Sequence, residues 1–143
     1  MVMVFEWPIR VYIEDTDAGG IVYYANYLRF LERARSEWLR SLGFEQERLR
    51  QQNCLFVVHD VHIRYHRPAK LDDELTVQLR IERLRKTGMT LTQRIVRYHE
   101  HSQETEIISA QVSIACVNEL GKPTAMPVEI QAAMNQSLIG EPL

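Results

Sequence analysis

The sequence predicts an α+β domain in which a five-stranded antiparallel sheet wraps around one long central helix. Three observations carry this. A segment of about five turns repeats its apolar residues three and four apart, the spacing of one helical face. Five other segments alternate apolar and polar residues, as half-buried strands do. The last four of these follow one another through short links, which joins neighbours antiparallel.

Taken in order, Ile9–Glu14 alternates with Ile9, Val11 and Ile13 on one face and reads as the first strand. A polar, glycine-containing turn follows, Asp15-Thr-Asp-Ala-Gly-Gly20. From about Tyr24 to Leu42 the period becomes helical: Tyr27, Leu28, Leu31, Ala34, Trp38, Leu39 and Leu42 form the apolar stripe, and Gly43 stands where a helix commonly ends. A shorter polar helix is expected around 45–51. Strands then follow at Val61–Tyr65, stopped by Pro68, at Leu75–Ile81, at Met89–Tyr98 and at Ile108–Cys116. Lys86-Thr-Gly88 and the polar stretch His99–Thr105 supply hairpin connections, and a short helix is expected near Val128–Met134. A sheet facing one helix leaves its other face to polar residues or to a second subunit, so an oligomer is expected.

Length and composition bound the function. The chain of 143 residues suits one domain spanning 1–143, and 45% hydrophobic with 25% charged residues is the composition of a soluble globular protein. A formal charge of −2 gives no general attraction to nucleic acid, so recognition of anions falls to local basic clusters. No apolar run approaches the roughly 18 residues of a membrane span, and the start, MVMVFEWPIR, is not expected to act as a signal peptide. Cys54 and Cys116 are far apart with no CxxC partner, and read as buried free thiols of a cytoplasmic protein.

Chemistry concentrates in residues 15–27, DTDAGGIVYYANY, between the first strand and the long helix. Two carboxylates, Asp15 and Asp17, precede two glycines that allow a tight turn. The first turn of the helix then offers free N–H groups and a partial positive charge. Amides there can hold the oxyanion of an acyl-transfer intermediate while a carboxylate attacks the carbonyl or activates water. The structural alternative is that Asp and Thr only cap the helix and the glycines only turn the chain.

The stretch from Asp15 to Tyr27, continuing through Leu28-Arg-Phe-Leu-Glu-Arg-Ala-Arg-Ser-Glu37, resembles the signature of the 4-hydroxybenzoyl-CoA thioesterase family. It is most similar to the YbgC-type branch, the Tol-Pal-associated acyl-CoA thioesterases. The resemblance implies a hotdog fold, a dimer or tetramer with active sites at subunit interfaces, and hydrolysis of acyl-CoA, or of acyl-carrier protein, to a free acid without a cofactor. It assigns Asp17 as catalytic nucleophile or general base and Tyr24 as the position whose backbone N–H polarises the thioester carbonyl. Gly20, Ile21, Val22 and Tyr23 match the loop that shapes the acyl pocket. Many members carry histidine where this chain has Tyr24, which removes a side-chain role there but leaves the backbone donor. Asp15 is expected to be structural, by capping or by ordering the turn.

Arg83, Arg85 and Lys86 form the best local group for the phosphates of CoA, with Arg64 and Arg67 weaker. The alternative for them is a solvated hairpin. His62 and His66 share a strand face but His59 lies on the other, and His99 and His101 stand apart, so no metal site is expected. No GxSxG elbow, Walker loop or dinucleotide fingerprint is present. Two other functions compete: a non-catalytic acyl-CoA or acyl-carrier-protein binding module, which an intact Asp17 disfavours, and a hotdog dehydratase, whose usual histidine is missing from the motif.

Overall fold

A computed structural model describes residues 4–139. Its elements in chain order are β1 (Phe5–Arg10), α1 (Asn26–Ser41), α2 (Gln46–Gln51), β2 (Leu55–Tyr65), β3 (Glu74–Arg85), β4 (Gly88–Tyr98), β5 (Glu104–Val117) and α3 (Val128–Ile139). The five strands make one antiparallel sheet in the order β1-β3-β4-β5-β2. This is the α+β hotdog arrangement.

The order qualifies the expectation that successive strands pair. The links β3–β4 and β4–β5 are hairpins, but β2 and β3 are not neighbours. Instead β2 pairs with β5 at one edge while β3 takes β1 on its other side. Both edges therefore hold strands that precede the hairpins in sequence. Alternation shows that a segment is a strand; which segment lies beside it is a tertiary outcome.

The core lies between α1 and the sheet. From α1 come Tyr27, Phe30, Leu31, Ala34, Trp38 and Leu39, all buried. The apolar stripe thus uses Phe30, whereas Leu28, counted in it from spacing, is 44% exposed. The sheet answers with Leu75, Val77, Leu79 and Ile81 of β3, Leu91 and Ile95 of β4, and alternate residues of β5 from Ile108 to Cys116. Ile130 and Met134 of α3 close the same core. One polar side chain is fully buried beneath α1: Gln93 donates to the Leu31 carbonyl at 3.1 Å and accepts from Arg35 Nη1 at 3.0 Å, so neither end of its amide is left without a partner.

The first strand begins and ends earlier than its alternation suggests. The Arg10–Glu74 pair is the last rung between β1 and β3. The Tyr12 N–H then turns to the Asp15 carboxylate at 2.8 Å, and Ile13–Asp15 coils into a single 3-10 turn. Ile13, placed on the buried face by its spacing, is 76% exposed. A short polar side chain bonding the local backbone outcompetes the strand ladder there.

Gly88 shows a close approach. The turn between β3 and β4 is Lys86-Thr87, and Gly88 opens β4 opposite Ala115. A Cβ at Gly88 would collide with the Ile114 carbonyl oxygen of β5. Gly88→Ala should therefore lower unfolding stability by about 1–3 kcal/mol, the cost of overpacking a close backbone contact, measured by urea denaturation.

Candidate active site

The segment from Tyr12 to Tyr27 crosses from the sheet to α1, and Asp15 organises it. Asp15 is buried. Its carboxylate accepts the Tyr12 N–H, and its carbonyl accepts both the Tyr23 N–H at 3.0 Å and the Asn26 side-chain amide at 2.9 Å. Of the roles expected of it, ordering the turn is the one its contacts describe.

Asp17 sits at the tip of the loop and is exposed. Its Oδ1 accepts the Gly19 N–H at 2.8 Å, while its backbone brackets the turn: Asp17 N–H donates to the Ile21 carbonyl and Gly20 N–H donates to the Asp17 carbonyl. Gly20 has φ +78°, the left-handed conformation that favours glycine. Oδ2 has no hydrogen-bond donor among the described residues and is available to a ligand. None of Asp15, Thr16 and Asp17 caps α1, which starts at Asn26 after an Ala25 N-cap that makes no side-chain hydrogen bond. The capping alternative therefore fails, and the orphan amides of the helix start remain.

Those amides can be counted. Tyr23 N–H donates to Asp15 and Asn26 N–H to the Tyr23 carbonyl. The N–H groups of Tyr24 and Ala25, just before α1, and of Tyr27, within its first turn, find no acceptor among the described residues. Tyr24 and Ala25 lie at the positive end of α1, where an oxyanion is stabilised by direct hydrogen bonds and by the helix dipole.

The remaining loop residues divide by exposure. Val22 is buried in the core and anchors the loop, its N–H donating to the Ala69 carbonyl at 2.9 Å. Ile21, bridged to Lys70, is 37% exposed, and the Tyr23 and Tyr24 side chains are exposed as well. Beside them lie Tyr65 of β2, whose ring meets Tyr24 edge-on at 6.1 Å, and Tyr27, whose hydroxyl accepts the Ala69 N–H. Burial pushes the phenols of Tyr65 and Tyr27 up, so both stay neutral hydroxyls through the physiological range. Tyr65 and Lys70 were not singled out from the sequence. Both are distant in the chain, and only the long-range bridge to Lys70 and the aromatic contact of Tyr65 reveal them.

Arg83, Arg85 and Lys86 are exposed but do not join this group within one chain. The loop is tied to the start of β3, through Val11 N–H and the Asp73 carbonyl, whereas the three basic residues lie at its far end. Eleven strand steps separate the two ends, roughly 36 Å. Arg64 and Arg67, the weaker candidates, flank the end of β2 nearest the loop. A cavity of about 410 Å³ opens at the far end too, between the second half of α1 (Arg35, Trp38, Leu39) and Phe56, Val57 and Val58 of β2.

Three of the five histidines are engaged locally. His66 meets Ser109 and Glu106, His62 meets Asp60, and His99 meets Thr105. Among the described residues no three metal-ligating side chains converge. Cys54 and Cys116 are buried and free, their sulfurs 3.0 Å apart, and burial pushes both thiols up, away from the reactive thiolate.

A loop of this kind between a first strand and a central helix has relatives. The family described as the thioesterase-like superfamily matches residues 11–134. The chain belongs to that superfamily. An acyl-CoA thioester hydrolase, YbgC, of Escherichia coli O6:H1 is 45% identical over 133 residues, covering 92% of this chain and 96% of the relative. The acyl-CoA thioesterase YbgC of Haemophilus influenzae is also 45% identical, over 92% and 94%. A Bartonella henselae crystal structure described as "Probable Thioesterase" superposes with a TM-score of 0.79 at 40% identity, over 87% of this chain and all of that one. The superfamily match spans the whole segment from Val11 through α1, so Asp17 and the free amides lie inside the shared region.

The two aspartates should separate by what they do. Asp15→Ala removes the acceptor of the Tyr12 N–H and should cost about 0.5–1.5 kcal/mol of stability. Asp17→Ala should leave the unfolding midpoint almost unchanged. Parallel denaturation of the two variants checks the contrast.

Proposed function

We infer that the chain is an acyl-CoA thioesterase that hydrolyses acyl-CoA to a free carboxylic acid and CoA, with acyl-carrier protein as an alternative carrier. The observation that carries the reading is local. An exposed carboxylate, Asp17, shares one loop with two free amides at an uncapped helix start, in a chain 45% identical to acyl-CoA thioester hydrolases. In this reading the thioester oxygen lies against the Tyr24 N–H, assisted by Ala25 N–H. Charge that develops on that oxygen is met by donors already in place. Asp17 acts on the carbonyl carbon in one of two ways: it attacks directly to form a mixed anhydride that water then hydrolyses, or it takes a proton from an attacking water. Either way CoA leaves as a thiolate and is protonated by solvent, and only water is consumed.

Placement of the CoA arm points to a second copy of the chain. β2 is an eleven-residue strand at the sheet edge, with exposed Val57 and Val58 on it, and such an edge invites a further strand. Antiparallel pairing of β2 with its counterpart would bring the Tyr65 end of one strand to the Leu55 end of the other. At that Leu55 end β5 finishes, and Cys116 N–H donates to Thr87 in the basic hairpin. A dimer built in this way sets Arg83, Arg85 and Lys86 of one subunit, and the 410 Å³ cavity with them, beside the Asp17 loop of the other. The basic residues then hold the phosphates of CoA. The apolar wall of Trp38, Leu39, Phe56 and Val58, together with Gly20–Tyr23 of the facing loop, receives the acyl group. The dimer is the minimum unit; pairing of two dimers gives the tetramer. No helix among the described residues is long and apolar enough to cross a membrane, and the free thiols suit a reducing cytoplasm.

Thiol release from short, long and aromatic acyl-CoA substrates tests the chemistry. Asp17→Asn should lower kcat by about 10²–10⁴-fold while acyl-CoA still binds; undiminished turnover removes Asp17 from the reaction. Val58→Lys, a charge on the pairing edge, should shift the sedimentation coefficient to that of a monomer and lower activity with it. A monomer of full activity would place the whole site in one chain.

A further inference from the structure

The site described so far has two oxyanion donors but leaves open what holds them in direction. A peptide unit is planar, so its carbonyl and the next N–H point in opposite senses and turn together. Whatever fixes the carbonyl of Tyr24 therefore aims the N–H of Ala25. In a regular helix that carbonyl would accept from the residue four positions on, Leu28. Here the Leu28 N–H donates instead to the Ala25 carbonyl at 3.2 Å. The Tyr24 carbonyl is thereby left to a side chain from another element, the Tyr65 hydroxyl at the end of β2, 3.3 Å away.

The preceding peptide is held from the other side. The Tyr23 N–H donates to the Asp15 carbonyl, and the Tyr23 carbonyl accepts Asn26 N–H. Residues 23–25 are thus clamped between Asp15 in the crossing loop and Tyr65 on the sheet, and the two N–H groups between these ties are the free ones. The Tyr65 ring is itself fixed, packing against Tyr24 at 6.1 Å and against Tyr27 at 5.8 Å. Tyr27 in turn is buried and bonded to Ala69.

We propose that Tyr65 is a positioning residue for the thioesterase reaction: its hydroxyl, by donating to the Tyr24 carbonyl, aims and polarises the Tyr24–Ala25 peptide, whose Ala25 N–H assists the Tyr24 N–H at the developing oxyanion. Donation to a carbonyl strengthens the N–H of the same amide as a donor. In this role the hydroxyl acts through the amide and not on the substrate itself, so its effect is felt in the transition state, where charge on the oxygen is greatest, and little in ground-state binding. Tyr65 also links the donors to β2, so whatever settles this edge strand settles the amides.

The inference rests on the acyl-transfer reading above, and the test separates the two. Tyr65→Phe removes one oxygen and keeps the ring and both aromatic contacts. With turnover normalised to the folded fraction measured by circular dichroism, kcat should fall about 3- to 10-fold, less than the ~10²–10³ typical of deleting a direct oxyanion donor. KM and the thermal midpoint should stay close to those of the parent. A merely structural role would lower the midpoint, and a substrate-binding role would raise KM; either pattern, or an unchanged kcat, overturns the proposal. Asp17→Asn is run beside it. If Tyr65→Phe is silent while Asp17→Asn is inactive, the positioning role falls and the reaction stands. If Asp17→Asn is active, the fault lies in the reaction itself.

Discussion

The buried carboxylate of Asp15, accepting the Tyr12 N–H, is the contact on which the site's geometry depends. It ends the first strand one turn before the hydrophobic alternation would, and it folds the chain back toward the helix. The carbonyl of the same residue then accepts Tyr23 and Asn26, so one residue both stops β1 and sets where α1 starts. The tie comes from Asp15 and not from a side-chain cap at Ala25, and the N–H groups of Tyr24 and Ala25, just before α1, are left free. Asp15 and Asp17 divide the work accordingly: the buried carboxylate is occupied by the backbone, while the exposed one keeps an oxygen open.

The sheet explains why the basic hairpin and the loop stand so far apart. β3 runs the length of the domain, with the loop tied near Asp73 and the cations at Arg83–Lys86. An acyl-CoA is long, with phosphates at one end and the thioester at the other, so separated anchoring points suit it. Reversal of direction across an edge-to-edge strand pair is a simple way to bring opposite ends of two identical chains together. The polar outer face of the sheet is consistent with this economy. Arg94 bonds Glu104 and Gln78, and Tyr98 bonds Glu6, so that face is largely satisfied within the chain.

Much of the fold was readable because periodicity is a local property. The helix from Asn26 to Ser41 lies within the stretch its apolar spacing marks, and β3, β4 and β5 fall on their alternations, while β2 starts at Leu55, before the alternation begins at Val61. The misses have physical causes. Phe30 replaces Leu28 in the core: both fit the apolar spacing, and only the facing of α1 against the sheet decides between them. The Ile9–Glu14 strand was displaced by a side-chain hydrogen bond that alternation does not register. In the site, Asp17, Gly20 and Tyr24 stand in one contiguous motif and could be named from it. Tyr65 and Lys70, some forty residues on, carry no local mark and enter only through contacts of β2 and the segment before β3.

By itself the sequence marked most of the secondary elements and the resemblance of the DTDAGG loop to a thioesterase motif, with Asp17 and Tyr24 in it as the candidates for handling a thioester. These follow from short-range spacing, where each residue's character and its near neighbours suffice. Tertiary structure alone decided that β2 lies at the edge beside β5, that Gln93 is buried under α1 with Arg35, that the two cysteines meet, and which amides are left without partners. Each of those outcomes depends on which distant segments share a surface, and burial and hydrogen bonding between such segments are set by the packing of the whole chain.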